Sequence, residues 1–294
     1  MEQAIVSGLI LGSIYAIIAQ GYYITYITTN TLNFGQGDFL MLGALLGLTS
    51  IGMLAAAGVP VYLSLILAIA IVIIIKSVLG ILLEQVAIKP LRHFFSIGWI
   101  LSTVAVSIII RNIAMLIWGR NVIPFPSPLG EKVIRIGTIG IAPHEIFAAI
   151  SAVVIMALLF FFLKKSLLGK ALSAVAFNKD AASLMGINPR FMALFSFALS
   201  SALAGIGGIL VGPITNTAFY MGAGLGLKAF AVAIIGGLES PGGILVGGLL
   251  LGVLEQLVAL WDSSFKDASA YVLILIVLAV MPQGLFGARR KEKF

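Results

Sequence analysis

The chain has 294 residues, of which 18 are Lys or Arg and 11 are Asp or Glu, so that 10% are charged while 61% are hydrophobic. A soluble domain carries roughly 25% charged residues, and a chain with mean hydropathy +1.16 lacks the polar side chains to coat a water-soluble globule. A soluble enzyme, a disordered chain and a nucleic-acid binder are thereby excluded, and the net charge of +7 is expected to reflect basic loops on one side of a membrane.

Apolar runs fall at about 4–27, 33–57, 60–83, 97–117, 143–163, 191–212, 225–239, 242–260 and 269–287. They predict one all-α, polytopic transmembrane bundle of about 8–9 segments, with residues 1–294 forming a single domain. The runs are continuous and do not alternate with period two, which argues against a β-barrel. Met1-Glu2-Gln3 lacks the basic start of a cleavable signal, so the first run is expected to stay in the mature chain. The second run opens on the polar, glycine-rich Asn33-Phe34-Gly35-Gln36-Gly37-Asp38, and the seventh is short of a full crossing, so one or two broken or re-entrant helices are expected.

The loops 84–96 and 164–190 and the C-terminal tail hold 11 of the 18 basic residues, among them Lys89, Arg92, Lys164, Lys165, Lys170, Lys179, Arg190, Arg289, Arg290, Lys291 and Lys293. Residues 118–142 and 261–268 hold Arg120, Lys132, Arg135 and Lys266. The positive-inside rule then predicts a cytoplasmic C-terminus and, through nine segments, an external N-terminus. The external loop 118–142, with Pro124, Pro126, Pro128 and several glycines, reads as a turn-rich connection containing a short hairpin. The cytoplasmic loop 164–190 reads as structured: Leu168, Leu172 and Val175 share a helical face, Asn178 caps a second short helix ending at Gly186, and Asn188-Pro189 opens the next span. Such a loop either lies on lipid headgroups or docks a partner.

Glycines one turn apart, as at Gly8/Gly12, Gly43/Gly47, Gly208/Gly212, Gly243/Gly247 and Gly248/Gly252, indicate close helix packing. Asn33 to Asp38 followed by Gly43 and Gly47 is echoed by Glu239 to Gly243 followed by Gly247 and Gly252, the pattern of a transporter built from two repeats.

No catalytic constellation is evident. His93 and His144 belong to opposite sides, Leu168-Gly169-Lys170-Ala171 lacks the remainder of a P-loop, and Gly222, Gly224 and Gly226 do not follow a strand. With no Cys there is no thiolate chemistry. The chain is therefore expected not to be an enzyme, with no metal and no cofactor of its own. Charges within spans carry more information, since each costs about 2.5–3.5 kcal/mol or more at the bilayer centre. Lys76 and Arg111 lie near enough to span ends for snorkelling, and Lys228, Glu239 and Glu255 are expected to pair or sit at the interface. Asp38, beside Asn33, Gln36 and two glycines, has either a pathway or gating role or a structural one in breaking the helix.

Three blocks carry a family resemblance. Gly8-Leu9-Ile10-Leu11-Gly12-Ser13-Ile14-Tyr15-Ala16 with Leu32 to Asp38, Leu168 to Ala176 with Asn178, Ala181, Ala182 and Gly186-Ile187-Asn188, and Lys228 to Val232 with Gly236 to Gly243 together resemble inner-membrane permeases of branched-chain amino acid ABC importers of the LivH type. The match runs through nearly the whole chain; departures stand at Gly35-Gln36, Ser173-Ala174 and Phe177. The resemblance implies transport of Leu, Ile or Val, or of a related solute such as urea, short amides or other amino acids. It implies a heterodimer with a second homologous permease, two cytoplasmic ATPases that bind ATP and Mg, a soluble binding protein outside, and a bacterial or archaeal cytoplasmic membrane. It implies ATPase coupling through Leu168, Gly169, Lys170, Ala171, Ala174, Asn178, Asp180, Ala181 and Gly186. Translocation or gating candidates are Tyr15, Tyr22, Asn33, Gln36, Asp38, Glu239 and Glu255, with Phe39 beside them. The competing class is an ion-coupled secondary carrier, in which Asp38 and Glu255 would bind the ion.

Overall fold

The computed structural model describes residues 1–91, 98–130, 132–137, 139–281 and 283–287; Arg92, His93 and the basic tail Arg289, Arg290, Lys291 and Lys293 lie outside them. The described residues form eleven α-helices, α1 (Glu2–Thr29), α2 (Gln36–Ala56), α3 (Val61–Leu83), α4 (Gly98–Trp118), α5 (Pro143–Lys165), α6 (Leu167–Phe177), α7 (Lys179–Leu184), α8 (Pro189–Thr215), α9 (Met221–Gly236), α10 (Pro241–Trp261) and α11 (Lys266–Val280). A two-stranded hairpin, β1 (Ile134–Ile136) with β2 (Ile139–Ile141), occupies the loop after α4, where the proline and glycine pattern predicts it.

Helix ends follow their capping residues. The side chains of Ser166, Asn178, Asn188 and Ser240 accept the first free backbone N–H groups of α6, α7, α8 and α10, and Pro189 and Pro241 occupy the first helical positions, where no N–H is needed. Gly186, at φ +83°, closes α7.

Small residues set helix directions because they bring backbones close enough to read the register. A Cβ on Gly8 would stand 2.6 Å from the Val253 Cα and one on Gly12 3.0 Å from the Leu249 Cα, so α1 and α10 pack antiparallel, almost backbone on backbone. Gly43 and Gly47 of α2 meet Gly205 and Ile209 of α8 in parallel, whereas Gly80 of α3 meets Ser201 and Gly205 meets Lys76, which is antiparallel. Along α4, Ser107 reaches Asp38 and the Trp118 indole N–H donates to the Thr49 hydroxyl at 2.9 Å, so α4 runs with α2. The Gln3 amide exchanges two hydrogen bonds with Gly140, at 2.9 and 2.8 Å, placing the start of α5 beside the start of α1. Helices α1, α3 and α5 therefore run one way and α2, α4, α8 and α10 the other. After the turn at 262–265, α11 runs back, and Leu285 beyond it donates to the Ile235 carbonyl at 2.7 Å.

Among the described residues, eight helical stretches are long and apolar enough to cross a membrane, the last being Ser263–Val280. The remaining run, the seventh of the nine, is the 16-residue α9, about 24 Å long and so shorter than a hydrocarbon core of roughly 30 Å. It follows a non-helical stretch that begins with a bridge between Thr217 and Ile123, and together they carry the chain from the end of α8 back towards the start of α10. The second run is broken as expected, with α2 starting only at Gln36. Lys89, Lys164, Lys165, Lys170, Lys179 and Arg190 gather at the end of the bundle where α3 and α5 finish and α8 begins. Arg120, Lys132, Arg135 and Lys266 gather at the other.

Burial divides the bundle into a centre and a periphery. In α1 and α8, 78% of the best membrane window is buried, against 17% in α4 and 6% in Ser263–Val280. Large apolar residues of α3, α4, α5 and α11 stand exposed on the outside of the bundle.

Candidate functional site

The polar break between α1 and α2 folds inward. The Asn33 Oδ1 accepts the Gly35 N–H at 3.0 Å and its Nδ2 faces the Gln36 Oε1 at 3.4 Å. Gln36 in turn donates to the Ser200 carbonyl at 3.1 Å and accepts from the Ser200 hydroxyl at 3.2 Å. All three side chains are buried, so the polar side chains at the broken helix end find their partners within the protein, in the break itself and on α8.

One turn further on, Asp38 is 2% exposed. Its Oδ1 accepts from the Arg111 Nε at 3.1 Å and its Oδ2 from the Arg111 Nη2 at 3.0 Å, a two-point pair, while the Ser107 hydroxyl donates to the same Oδ2. At 1.5 Å per residue, Ser107 lies about 14 Å from the start of α4 and about 17 Å from its end, so the cluster sits near mid-depth. Arg111 does not snorkel to a span end as its position predicts. It turns to Asp38, and the aspartate is the reason.

Lys76 departs further from expectation. It is fully buried between α3, α2 and α8, with its Nζ 4.1 Å from the centroid of Phe39 and no hydrogen-bond partner among the described residues. Gly205 makes room for its methylenes, since a Cβ there would stand 2.7 Å from the Lys76 Cγ. The glycine stripe of α8 thus draws the lysine inward where snorkelling would carry it out.

A second charge cluster joins α9, α10 and α11. The Lys228 Nζ stands 2.7 Å from the Glu255 Oε1 and 2.7 Å from the Asp267 Oδ1, and Lys266 approaches Glu255 at 3.6 Å. Tyr15 is buried beside it, its ring centroid 5.8 Å from the Lys228 Nζ. Tyr22 donates to the Gly226 carbonyl at 3.3 Å and meets Phe230 edge-on, and Phe230 continues to Phe34 and Trp99, an aromatic column from α1 through α9 to α4. Glu239 joins neither cluster; it is exposed in the turn between α9 and α10. The tight 237–240 connection holds it at the surface, in keeping with the interfacial position expected of it.

The two glycine-broken segments lie at one level on either side of α1. Gln20 donates to the Pro241 carbonyl at 2.7 Å, and the neighbouring Gly21 abuts the Gln36 amide. The echo seen in the sequence is therefore also a spatial neighbourhood. Arg111, Ser107, Ser200 and Lys76 are the polar residues of this region that the sequence reading did not assign to it. Two opposite charges in mid-span positions of different helices are the one signal that pairs Asp38 with Arg111.

At the basic end, α6 and α7 form the structured loop expected from the pattern. Leu172 and Val175 are buried, Leu168 is at the edge, and Gly169 packs on the last turn of α5, where a Cβ would stand 2.6 Å from the Leu163 Cα. Lys170, Asn178, Asp180, Ala181 and Gly186 face outward, and Ala171 and Ala174 are half-buried. Leu167, Phe177, Leu184 and Met185 stand 83–94% exposed, an apolar group that amphipathic packing does not explain.

Residues 4–281 match the model of the family described as branched-chain amino acid transport system / permease component. The chain belongs to this family. The LivH permease of the high-affinity branched-chain amino acid system of Salmonella typhimurium is 32% identical over 99% of this chain and 97% of its own length. The corresponding BraD permease of Pseudomonas aeruginosa is 33% identical over 99% of this chain and 97% of its own. The ribose import permease RbsC of Haemophilus influenzae is 28% identical, covering 95% and 84%. Membership makes the chain a multi-pass, non-catalytic ABC permease and accounts for the energy source: the family implies an ATPase partner that binds ATP and a binding protein that delivers solute.

Proposed function

We propose that this permease carries branched-chain amino acids across a bacterial or archaeal cytoplasmic membrane, as half of a heterodimer with a second permease, driven by two ATPases and supplied by a soluble binding protein. The observation that carries this reading is the match to LivH and BraD from end to end at about one-third identity. The basic end, with six Lys and Arg in 84–91 and 164–190, faces the cytoplasm by the positive-inside rule, and the hairpin end faces the binding protein. Residues 1–294 act as one domain. The α6–α7 element receives the ATPase: its buried face is fixed on α5, and its exposed Leu167, Phe177, Leu184 and Met185 are the hydrophobic anchors a partner would cover. The residues from Leu168 to Gly186 named above form this coupling surface. Tyr15, Tyr22, Asn33, Gln36, Asp38 and Glu255 govern the path by holding α1, α2, α9 and α10 around it.

The ribose permease among the relatives supports a second reading, a different small solute on the same scaffold. Reconstitution with the cognate ATPases and binding protein separates the two: ATP-dependent uptake of leucine, isoleucine or valine is expected. Uptake driven by an ion gradient without ATP, or of another solute alone, overturns the proposal. Replacing residues 167–186 by a Gly/Ser linker is expected to abolish ATPase binding; retained binding and transport would remove the coupling role.

A further inference from the structure

The outer face of α4 is uncovered along its length, with Leu101, Ile108, Ile109 and Leu116 more than half exposed. In the middle of that stripe stands Asn112, also exposed, whose Nδ2 donates to the Ile108 carbonyl at 2.8 Å. Beside it Arg111 remains 31% exposed although its Nε and Nη2 are taken by Asp38. Its Nη1 has no partner among the described residues. Helical side chains lean towards the helix start, and the bond to Asp38 beside Ser107 places this guanidinium near mid-depth. An amide and a guanidinium are poor neighbours for hydrocarbon, and these two follow one another near the middle of one helix, about 100° apart around its axis.

We propose that this face of α4 lines the path of the translocated solute, and that Arg111 contacts the solute's carboxylate through the donors Asp38 leaves free. The proposal rests on the amino acid reading above. Asp38, 2% exposed, is then a positioning residue: it fixes the guanidinium plane and offsets part of its charge, so that a carboxylate binds and leaves again. The flanking isoleucines suit an apolar side chain.

The chain contains no cysteine, so Asn112→Cys introduces its sole thiol. In the reconstituted complex that thiol is expected to react with an anionic, membrane-impermeant thiosulfonate at least about tenfold faster than the thiol of Leu275→Cys on α11, a position 66% exposed on the lipid-facing periphery. Addition of the leucine-loaded binding protein with ATP should slow the labelling. Equal rates would mean that lipid or a dry subunit contact covers α4, and would overturn the proposal. The double variant Asp38→Asn/Arg111→Gln leaves no charge unpaired; if the pair only ties α2 to α4, uptake persists, whereas a carboxylate contact predicts a loss of about tenfold or more in assembled protein. Should that variant fail to fold, the labelling comparison still decides. If leucine is not carried at all but labelling at 112 is fast, the substrate reading fails and the path along α4 stands.

Discussion

The two charge clusters solve the same problem in opposite ways. Asp38 and Arg111 form a two-point pair near mid-depth, closed towards the protein and open along α4. Lys228 is shared between Glu255, which is 1% exposed, and Asp267, which is 73% exposed, so its network leads from the core of the α9–α11 group to the water at the hairpin end. A pair open at mid-depth is placed for solute, and one open at an end is placed to hold a short helix in register.

The largest effect expected from breaking this contrast is Lys228→Met. It leaves the buried Glu255 with Lys266 at 3.6 Å as its one cationic partner among the described residues and should lower stability by about 3–5 kcal/mol, seen as a fall in thermal midpoint in detergent. An unchanged midpoint would show that the network is not structural. Asp38→Leu should cost towards the lower end, about 3 kcal/mol, because Arg111 can reach its own exposed side; uptake should fall while assembly survives, and normal uptake would remove the role assigned to the pair. Lys76→Met tests a buried cation outside both clusters. With no hydrogen bond to lose, it is expected to raise stability by about 1–3 kcal/mol, and a lower midpoint would mean that the Phe39 ring compensates the ammonium. Asp267→Asn should cost only about 0.5–1 kcal/mol, with the loss shrinking in high salt.

The nine apolar runs, the break at Asn33–Asp38, the short seventh run, the hairpin and the α6–α7 helices were all legible, because each is encoded in local periodicity, capping residues or glycine and proline placement. Pairing was not. Arg111 lies 73 residues from Asp38 in sequence, and nothing near it says that it will turn inward. Lys76 read as a snorkelling residue because distance to a span end is a one-dimensional measure, whereas its place is set by Gly205 on another helix.

The contact between α1 and α10 has a consequence for biosynthesis. The two helices meet where Gln20 bonds Pro241, 221 residues along the chain, and the glycines that seat them leave no side chains to tolerate a loose approach. Helix α1 is therefore among the most buried in the finished bundle, yet its main neighbour is made long after it. Until then Tyr15, Gln20 and the bare glycine backbone of α1 need shelter, so loss of the last fifth of the chain should expose the first helix to quality-control proteases.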